Sequence, residues 1–362
     1  MVLIRHLSMT ICATLRPWGV LVILGVFLGS CAPQAQRPQE QQTAQEATPA
    51  EPELTIVTTF LPITAFTKAV VGDRATVEQL LPHNTDSHDF QARPEDLQRL
   101  STARVLVKNG LEMETFLDKL IENAANPDLK IIDTSAGVAT IAREKHDHDH
   151  DHDHDHQGHS HGEFNPHIWL DPKRAMQQVK NIRDGLIAID PEGAAIYGKN
   201  AAAFIQELEA LDALAREKLT PFAGKTFVVY HDVAPYFAES YNLKTTYLVG
   251  IPSVNPSPAD VQRVMQAVQQ SDLKTLLTEP GQEQVFESLA KDLGVKVSVF
   301  DPLERAPSAA DLTPAYFLQR MEQNIRNLAE AFGAQQQAYR RPDSIAVVGP
   351  WMRLSAPLGT AL

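Results

Sequence analysis

Residues 190–220, DPEGAAIYGKNAAAFIQELEALDALAREKLT, predict one long helix. Asp190 supplies an N-cap and Pro191 a proline at the first helical position. Apolar residues such as Leu208 and Leu211 recur at helical spacing, with alanines between them. About 28 residues at about 1.5 Å each give a rod of about 42 Å, which exceeds a typical domain helix. Such a helix predicts a rigid connection between two parts of the chain.

On both sides of this helix, short β-branched runs alternate with helical runs, which indicates parallel βαβ units. Strands are expected at 54–59, 77–81, 105–108 and 130–133 before the helix, and at 226–230, 244–248, 275–278 and 296–300 after it. The predicted fold class is therefore α/β, with two βα-type lobes of mainly parallel sheets joined by one long rigid helix. The expected boundaries are 53–189 for the first lobe, 190–220 for the connecting helix, 221–333 for the second lobe and 334–362 for a tail without assigned structure.

Composition narrows the classes of function. A length of 362 residues is typical of two domains, and a content of 43% hydrophobic residues is sufficient for packed cores. The net charge of -13 and the pI of about 5.4 argue against a nucleic-acid partner, which would need a basic face. The two cysteines, Cys12 and Cys31, both precede the predicted lobes, so a metal site in the body has to use nitrogen and oxygen ligands.

The N-terminal segment, 1–31, is typical of an export signal. The run Val20 to Leu28 is almost wholly apolar and too short to span a bilayer comfortably. Leu28-Gly29-Ser30-Cys31 resembles the bacterial lipobox, in which the cysteine is lipidated; an uncleaved membrane anchor is the alternative. Either interpretation places the body outside the cytoplasm. Residues 32–52 lack core-forming side chains and are expected to be a flexible tether.

Isolated histidines and carboxylates mark candidate ligand positions. His88 and His231 follow predicted strands, one in each lobe, and Glu279 and Asp301 also follow strands of the second lobe. Ligands of parallel α/β folds bind beyond the carboxyl ends of the strands. With His167, these residues would make a set of imidazoles and carboxylates, and three histidines plus an oxygen form a normal tetrahedral zinc site. A histidine at a strand end can equally be a hydrogen-bonded structural residue, so the positions alone leave both interpretations open.

Five segments carry a family resemblance. They are HDFQARPEDL at 88–97, KNGL at 108–111, NPHIWLDP at 165–172, YHDVAPYF at 230–237 and FDPL at 300–303. In this order they resemble the motifs of the zinc and manganese solute-binding proteins of bacterial ABC transporters, and the likeness runs over about residues 54–328.

The resemblance implies two lobes, a rigid connecting helix and a metal site in the cleft between the lobes. It implies His88, His167 and His231 as ligands, with Asp301 as a fourth ligand or as the acceptor of a bound water. Glu279 is a weaker candidate for the fourth position. Manganese members of the family tend to have a glutamate where this chain has His231, and three nitrogens also favour zinc over manganese.

A second group of histidines lies in the predicted loop 146–162, where histidine and aspartate alternate. Its eight histidines are His146, His148, His150, His152, His154, His156, His159 and His161. The run has no apolar residue, so a loop that binds several metal ions weakly is expected. A solvated insertion without a role is the alternative. His83, where the family usually has another residue, is interpreted as a solvated neighbour of the site.

The resemblance also implies a function: a monomeric, lipid-anchored, extracytoplasmic protein that binds Zn²⁺ as cargo and delivers it to an ABC permease. It is expected not to be an enzyme. Three alternatives stay open from sequence, namely a manganese carrier of the same fold, a metal-dependent adhesin or zinc chaperone, and a zinc hydrolase. The hydrolase is disfavoured because the chain has no HExxH motif.

Overall fold

The first sheet consists of four short parallel strands. The computed structural model describes residues 54–88, 90–143, 162–251 and 255–339, with side chains as far as Gly333. The strands are β1 (Thr55–Thr58), β2 (Thr76–Gln79), β3 (Val105–Lys108) and β4 (Lys130–Asp133), in the spatial order β2-β1-β3-β4. All three pairings are parallel. The two central strands, β1 and β3, are the most buried, which explains their near-continuous runs of apolar residues.

The second sheet repeats the arrangement of the first. Its strands are β5 (Thr226–His231), β6 (Lys244–Val249), β7 (Thr275–Thr278) and β8 (Lys296–Val299), in the order β6-β5-β7-β8. These pairings are parallel as well. The prediction of an α/β fold with two mainly parallel sheets is confirmed.

Helices connect the strands and cover the sheets. They are α1 (Leu61–Val71), α2 (Pro94–Thr102), α3 (Leu117–Ala124), α4 (Pro172–Ile189), α5 (Ala194–Leu219), α6 (Pro235–Ser240), α7 (Pro258–Ser271), α8 (Glu283–Leu293) and α9 (Pro314–Tyr339). Proline begins five of them, because its fixed φ suits the first helical turn and its missing N–H has no partner there. Within the part of the chain that the structure describes, no helix is both long and apolar enough to cross a membrane.

The long helix differs from its prediction at one end. Residues Pro191–Gly193 form a separate 3₁₀ turn, so α5 begins at Ala194, and Asp190 does not cap it. The Asp190 carboxylate instead accepts hydrogen bonds from the guanidinium of Arg74. The preceding helix α4 was not predicted. The connection between the two sheets is therefore a pair of helices, α4 and α5, packed against each other.

Helix α5 is part of the core along its whole length. It contacts α1 and α9 as well as α4. Phe66 of α1 lies 4.8 Å from Phe317 of α9 and 5.7 Å from Phe204 of α5, between ring centroids. Elements from both ends of the described chain thus share one apolar core, which fixes the carboxyl ends of the two sheets relative to each other.

Several sequence predictions fall outside the described residues. These are the export signal with Cys31, the tether 32–52, the histidines from His146 to His161 and the end of the tail beyond Tyr339. The predicted closing helix, α9, continues beyond Gly333 to Tyr339 and so takes in the start of the segment 334–362.

Candidate metal centre

His88 enters the site from the loop between β2 and α2. The Asp86 carboxylate accepts a hydrogen bond from the His88 backbone N–H at 2.9 Å and so shapes the end of this loop. The imidazole side chain is only 7% exposed, and its Nε2 atom faces His167 and Glu304. Asp89, the next residue of the first motif, lies outside the described residues.

His167 is completely buried just before a 3₁₀ turn, Ile168–Leu170. The Oδ1 atom of Asn165 lies 3.0 Å from the His167 backbone nitrogen and 2.9 Å from its Nδ1. Asn165 is itself held by the other lobe, since its amide donates to the backbone oxygen of Asp232 at 2.8 Å. An acceptor on Nδ1 places the proton there and leaves Nε2 free for a metal ion.

His231 is the last residue of β5, and Glu279 directly follows the neighbouring strand β7. One oxygen of Glu279, Oε1, lies 3.1 Å from the His231 backbone nitrogen and 2.5 Å from its Nδ1. Glu279 therefore orients the ring, and His231 Nε2 faces His167 Nε2 at 3.2 Å. The structure places Glu279 behind His231 and outside the group of potential ligands.

Glu304 occupies the fourth position. Its Oε1 atom lies 3.3 Å from His88 Nε2, 3.0 Å from His167 Nε2 and 3.5 Å from His231 Nε2. These four residues form a group that could hold a metal ion, and three of the four are buried. Sequence analysis missed Glu304, although it directly follows the FDPL segment that had been singled out for its carboxylate.

The four atoms are spaced for tetrahedral coordination. The five separations known among them run from 3.0 to 3.5 Å. A regular tetrahedron with bonds of about 2.0–2.1 Å to its centre, as in zinc sites, has edges of about 3.3–3.4 Å. These five separations are close to those of a four-coordinate zinc site, and the group of three imidazole nitrogens and one carboxylate oxygen could hold a metal ion.

Asp301, the residue that sequence analysis offered as fourth ligand, lies outside this group. Its Oδ2 atom accepts from Arg320 Nε at 3.0 Å and Nη2 at 2.9 Å. Its Oδ1 accepts from the backbone N–H of Leu303 at 2.9 Å. The Asp301 carboxylate thus binds the guanidinium of Arg320 and the backbone of its own loop. The carboxylate oxygen that faces the three imidazoles belongs to Glu304.

His83 also differs from its interpretation as a solvated neighbour. Its Nδ1 lies 2.9 Å from the backbone oxygen of Ala306, and the Ala306 N–H donates to the His83 oxygen at 2.6 Å. His83 thus joins the loop that carries His88 to the segment that carries Glu304.

The electrostatics of the cluster suit a cation. Burial opposes the charge on Glu304, but the facing imidazoles outweigh it and hold the pKa of this carboxyl well below its usual range. Burial lowers the pKa of His167 to about 3, which keeps its ring neutral. Burial also disfavours charge on His231, yet Glu279 and Glu304 raise its pKa, so metal binding has to release a proton there.

A cavity of about 840 Å³ lies beside the cluster. His88 and Pro166, the neighbour of His167, are among the residues that line it. Its wall combines apolar residues of the first lobe, such as Phe116, with Arg143 and with Ile251 of the second lobe. Of the four candidate ligands, His88 is the one that lines this cavity.

The chain also matches a family of known proteins. The family model described as zinc-uptake complex component A, periplasmic (ZnuA), matches residues 56–331. The zinc-binding lipoprotein AdcA of Streptococcus pneumoniae serotype 4 is 32% identical over 310 residues, covering 85% of this chain and 59% of that protein. This chain thus spans about three-fifths of that relative's length.

Two further similarities cover most of the described chain. The high-affinity zinc uptake system protein ZnuA of Bacillus subtilis is 31% identical over 283 residues, 77% of this chain and 88% of that one. The crystal structure of Zn(II)-bound AdcA from Streptococcus pneumoniae superposes with a TM-score of 0.64 at 31% identity, covering 77% of this chain and 58% of that one. The family match extends from β1 into α9 and takes in the whole candidate site, so the chain belongs to the ZnuA family of periplasmic zinc-uptake components.

Proposed function

We propose that this protein is the zinc-binding component of an ABC importer, which captures Zn²⁺ outside the cytoplasm and delivers it to a membrane permease. The observation that carries the proposal is the tetrahedral group of His88, His167, His231 and Glu304. Family membership supports the transport role, and the zinc-binding and zinc-uptake relatives support zinc as the metal.

The donor set favours zinc over manganese. Three imidazole nitrogens and one oxygen at tetrahedral spacing suit zinc, whereas manganese prefers carboxylate, carbonyl and water oxygens in an octahedral arrangement. The side chains around the four ligand atoms are almost completely buried, which leaves little room for the additional waters that manganese needs.

Zinc would act as cargo, entering through the cavity beside His88. Asn165 and Glu279 hold two of the imidazoles in the orientation that presents Nε2, so the ligands need little rearrangement. Because the lobes share one core, any closing movement has to be small. As part of the same proposal, lipidation of Cys31 keeps a monomeric protein close to its permease, and the histidines of 146–162 collect metal nearby.

We also propose that the bound metal has no catalytic role. Catalytic zinc sites keep an open position for water beside three protein ligands, whereas here protein atoms occupy all four corners. The zinc-loaded protein is accordingly expected to give no turnover above free zinc in assays with ester, peptide and phosphoester substrates.

The test is a zinc titration of the metal-stripped protein in which the eight histidines from His146 to His161 are replaced by glutamine. This protein is compared with the same protein carrying His88→Ala, His167→Ala and His231→Ala. One tight site in the first and none in the second is the expected result. Equal binding in both, or no tight site in the first, would refute the site and with it the proposed function.

A further inference from the structure

The segment that carries Glu304 is unusually constrained. Residues 301–304 belong to no helix or strand, yet they are all buried. Leu303 adopts a left-handed conformation with φ of 62°, which is unfavourable for a branched side chain. The carboxylate of Asp301 accepts a hydrogen bond from the Leu303 N–H at 2.9 Å and so stabilises this bend. Strained backbone persists where the surroundings hold it, and here it lies directly before a candidate ligand.

Side chains on one face of α9 form hydrogen bonds with this segment and with the end of β8 before it. Arg320, Asn324 and Asn327 have the i, i+4, i+7 spacing of neighbours on a helix face. The Asn324 side-chain amide brackets the backbone of Asp301, accepting from its N–H at 2.8 Å and donating to its oxygen at 2.7 Å. Asn327 donates to the oxygen of Val299 at 2.8 Å. Arg320 completes the row with its paired contacts to the Asp301 carboxylate.

The other side of the segment is fastened to the loops of the histidine ligands. The indole N–H of Trp169 donates to the oxygen of Pro302 at 2.8 Å, and Trp169 lies two residues after His167. Beyond Glu304, the paired hydrogen bonds between Ala306 and His83 tie the segment to the loop of His88. Glu304 therefore sits between two anchors, with little freedom to change how its carboxylate meets the metal.

We propose that Arg320, acting through Asp301, is a positioning residue that fixes Glu304 for four-coordinate zinc and thereby discriminates against manganese. Glu304 meets all three imidazoles with the same oxygen, Oε1, which is the arrangement of a one-oxygen ligand. A carboxylate free to rotate could offer both oxygens or admit water, and higher coordination by oxygen is what manganese prefers. This inference rests on the proposed function, because it assumes that the four-residue group is the zinc site.

The test uses Arg320→Gln in the protein whose eight loop histidines are replaced by glutamine. Zinc affinity is expected to fall about 10- to 100-fold, the range for residues that support a metal ligand. Manganese affinity should fall less or rise, so that the ratio of the two affinities narrows. A variant that stays folded and binds cobalt should lose the intense visible absorption of tetrahedral Co²⁺, because this absorption depends on the coordination number of the bound metal.

The matched control is Arg326→Gln, which removes an arginine from the same helix. Arg326 pairs with Glu322 on the exposed side of α9, and its side chain is 47% exposed. This variant should keep the affinity ratio and the cobalt spectrum of the unmodified site. Thermal unfolding of both metal-free variants shows whether they are folded. If Arg320→Gln is not, Arg320→Lys is measured in its place; a smaller loss is expected, because the ammonium keeps the positive charge but can replace only one of the two contacts.

The outcomes separate the two hypotheses. An unmodified site that binds zinc tightly, together with an Arg320 variant that keeps its affinity ratio and cobalt spectrum, would overturn the role of Arg320 alone. A protein that binds no zinc tightly before Arg320 is changed would overturn the proposed function instead.

Discussion

The two sheets share a strand order, but the buried polar residues at their carboxyl ends differ in kind. In the first sheet, the residues that follow β1, β3 and β4 are neutral and fully buried: Thr59, Asn109 and Thr134. In the second sheet, the residues at or just after the ends of β5, β7 and β8 are ionisable: His231, Glu279 and Asp301. Equivalent strand ends in the two similar lobes thus have different roles.

The neutral residues at the strand ends of the first sheet form a hydrogen-bonded network that supports the backbone beside His167. The side-chain amide of Gln178 on α4 donates to Asn109 Oδ1 at 3.0 Å and to Thr134 Oγ1 at 2.9 Å. Asn109 in turn donates to the backbone oxygen of Pro166 at 3.1 Å, one residue before His167. The first sheet therefore reaches the metal centre through a hydrogen-bonded network that fixes the backbone beside His167.

Of the ionisable residues at the ends of the second sheet, only His231 belongs to the candidate set. Glu279 is engaged by the ring of His231, and Asp301 by the guanidinium of Arg320. A polar residue at a strand end therefore indicates that a site is near. The group with which that polar residue forms hydrogen bonds indicates its role. The residue either binds the metal itself or positions another residue that binds the metal.

The largest loss of zinc affinity is expected from removing the charge of Glu304. This candidate ligand of the second lobe lies in the segment after β8 and not at the end of a strand. Zinc binding of about 10–16 kcal/mol shared among four ligands gives roughly 3 kcal/mol for each. Glu304→Gln should therefore weaken zinc binding on the order of 100-fold, measured by competition with a chelator in the protein without loop histidines.

Glu330→Gln is the control for this change, because Glu330 is an exposed glutamate on α9 away from the cluster. It should leave zinc affinity unchanged. If Glu304→Gln also left zinc affinity unchanged, Glu304 would not be the carboxylate ligand. Asp301, which follows β8, would then be the candidate for that position.

A smaller loss is expected from Glu279→Gln, which tests whether a strand-end carboxylate supports a ligand. The amide oxygen of glutamine can still accept from His231 Nδ1, but without the negative charge that increases the basicity of the ring. Zinc affinity should fall about tenfold, the lower end of the range for such partners. A loss as large as that of Glu304→Gln would show that Glu279 contacts the metal itself.

Most of the fold could be predicted from sequence, because its signals are local. Each β-branched run was close to an observed strand, and the apolar spacing of α5 was correct over most of its length. Helix α4 was missed although it begins at Pro172, inside a segment quoted for its histidine. Its start signal is an ordinary one, in which Asp171 accepts from the Lys173 N–H and a proline follows at the first helical position.

The structure brings together the three histidines that the sequence indicated, with Glu304 beside them and not Asp301. Three imidazoles in recognisable motifs can be placed at strand ends or loops from sequence alone. The choice between Asp301 and Glu304 depends on Arg320, a helix residue distant in sequence whose contact with Asp301 only the tertiary structure reveals. The role of His83 was missed for the same reason, because its partner is the backbone of Ala306.

The neutral network of the first sheet should affect stability more than affinity. Asn109→Ala removes the donor to the Pro166 oxygen and one of the two acceptors of the Gln178 amide, at a fully buried position. The free energy of unfolding should fall by about 1–3 kcal/mol, measured by urea denaturation of the metal-free protein. Zinc affinity should change less than in Glu279→Gln. Asn123→Ala, at an exposed position of α3, is the control and should alter neither quantity.

The smallest effect concerns Glu114, the one ionisable residue built into that network. Its carboxylate accepts from Thr59 Oγ1 at 2.8 Å and from the backbone N–H groups of Asn109 and Gly110 at 2.7 and 3.1 Å. These donors favour the charged form, but burial outweighs them and raises the pKa of Glu114 from 4.5 to about 7. Near neutral pH, Glu114 is therefore divided between its neutral and charged forms.

A carboxyl whose pKa is raised by folding contributes stability that is fully present below its unfolded pKa and is lost as pH rises through its folded pKa. The metal-free protein should therefore lose about 1 kcal/mol of unfolding free energy between about pH 6 and about pH 8 relative to Glu114→Gln, whose side chain does not titrate. Parallel pH profiles of the two proteins would contradict this expectation. They would show that the hydrogen bonds around Glu114 compensate for its burial, so that the ends of the first sheet tolerate a buried charge as readily as those of the second.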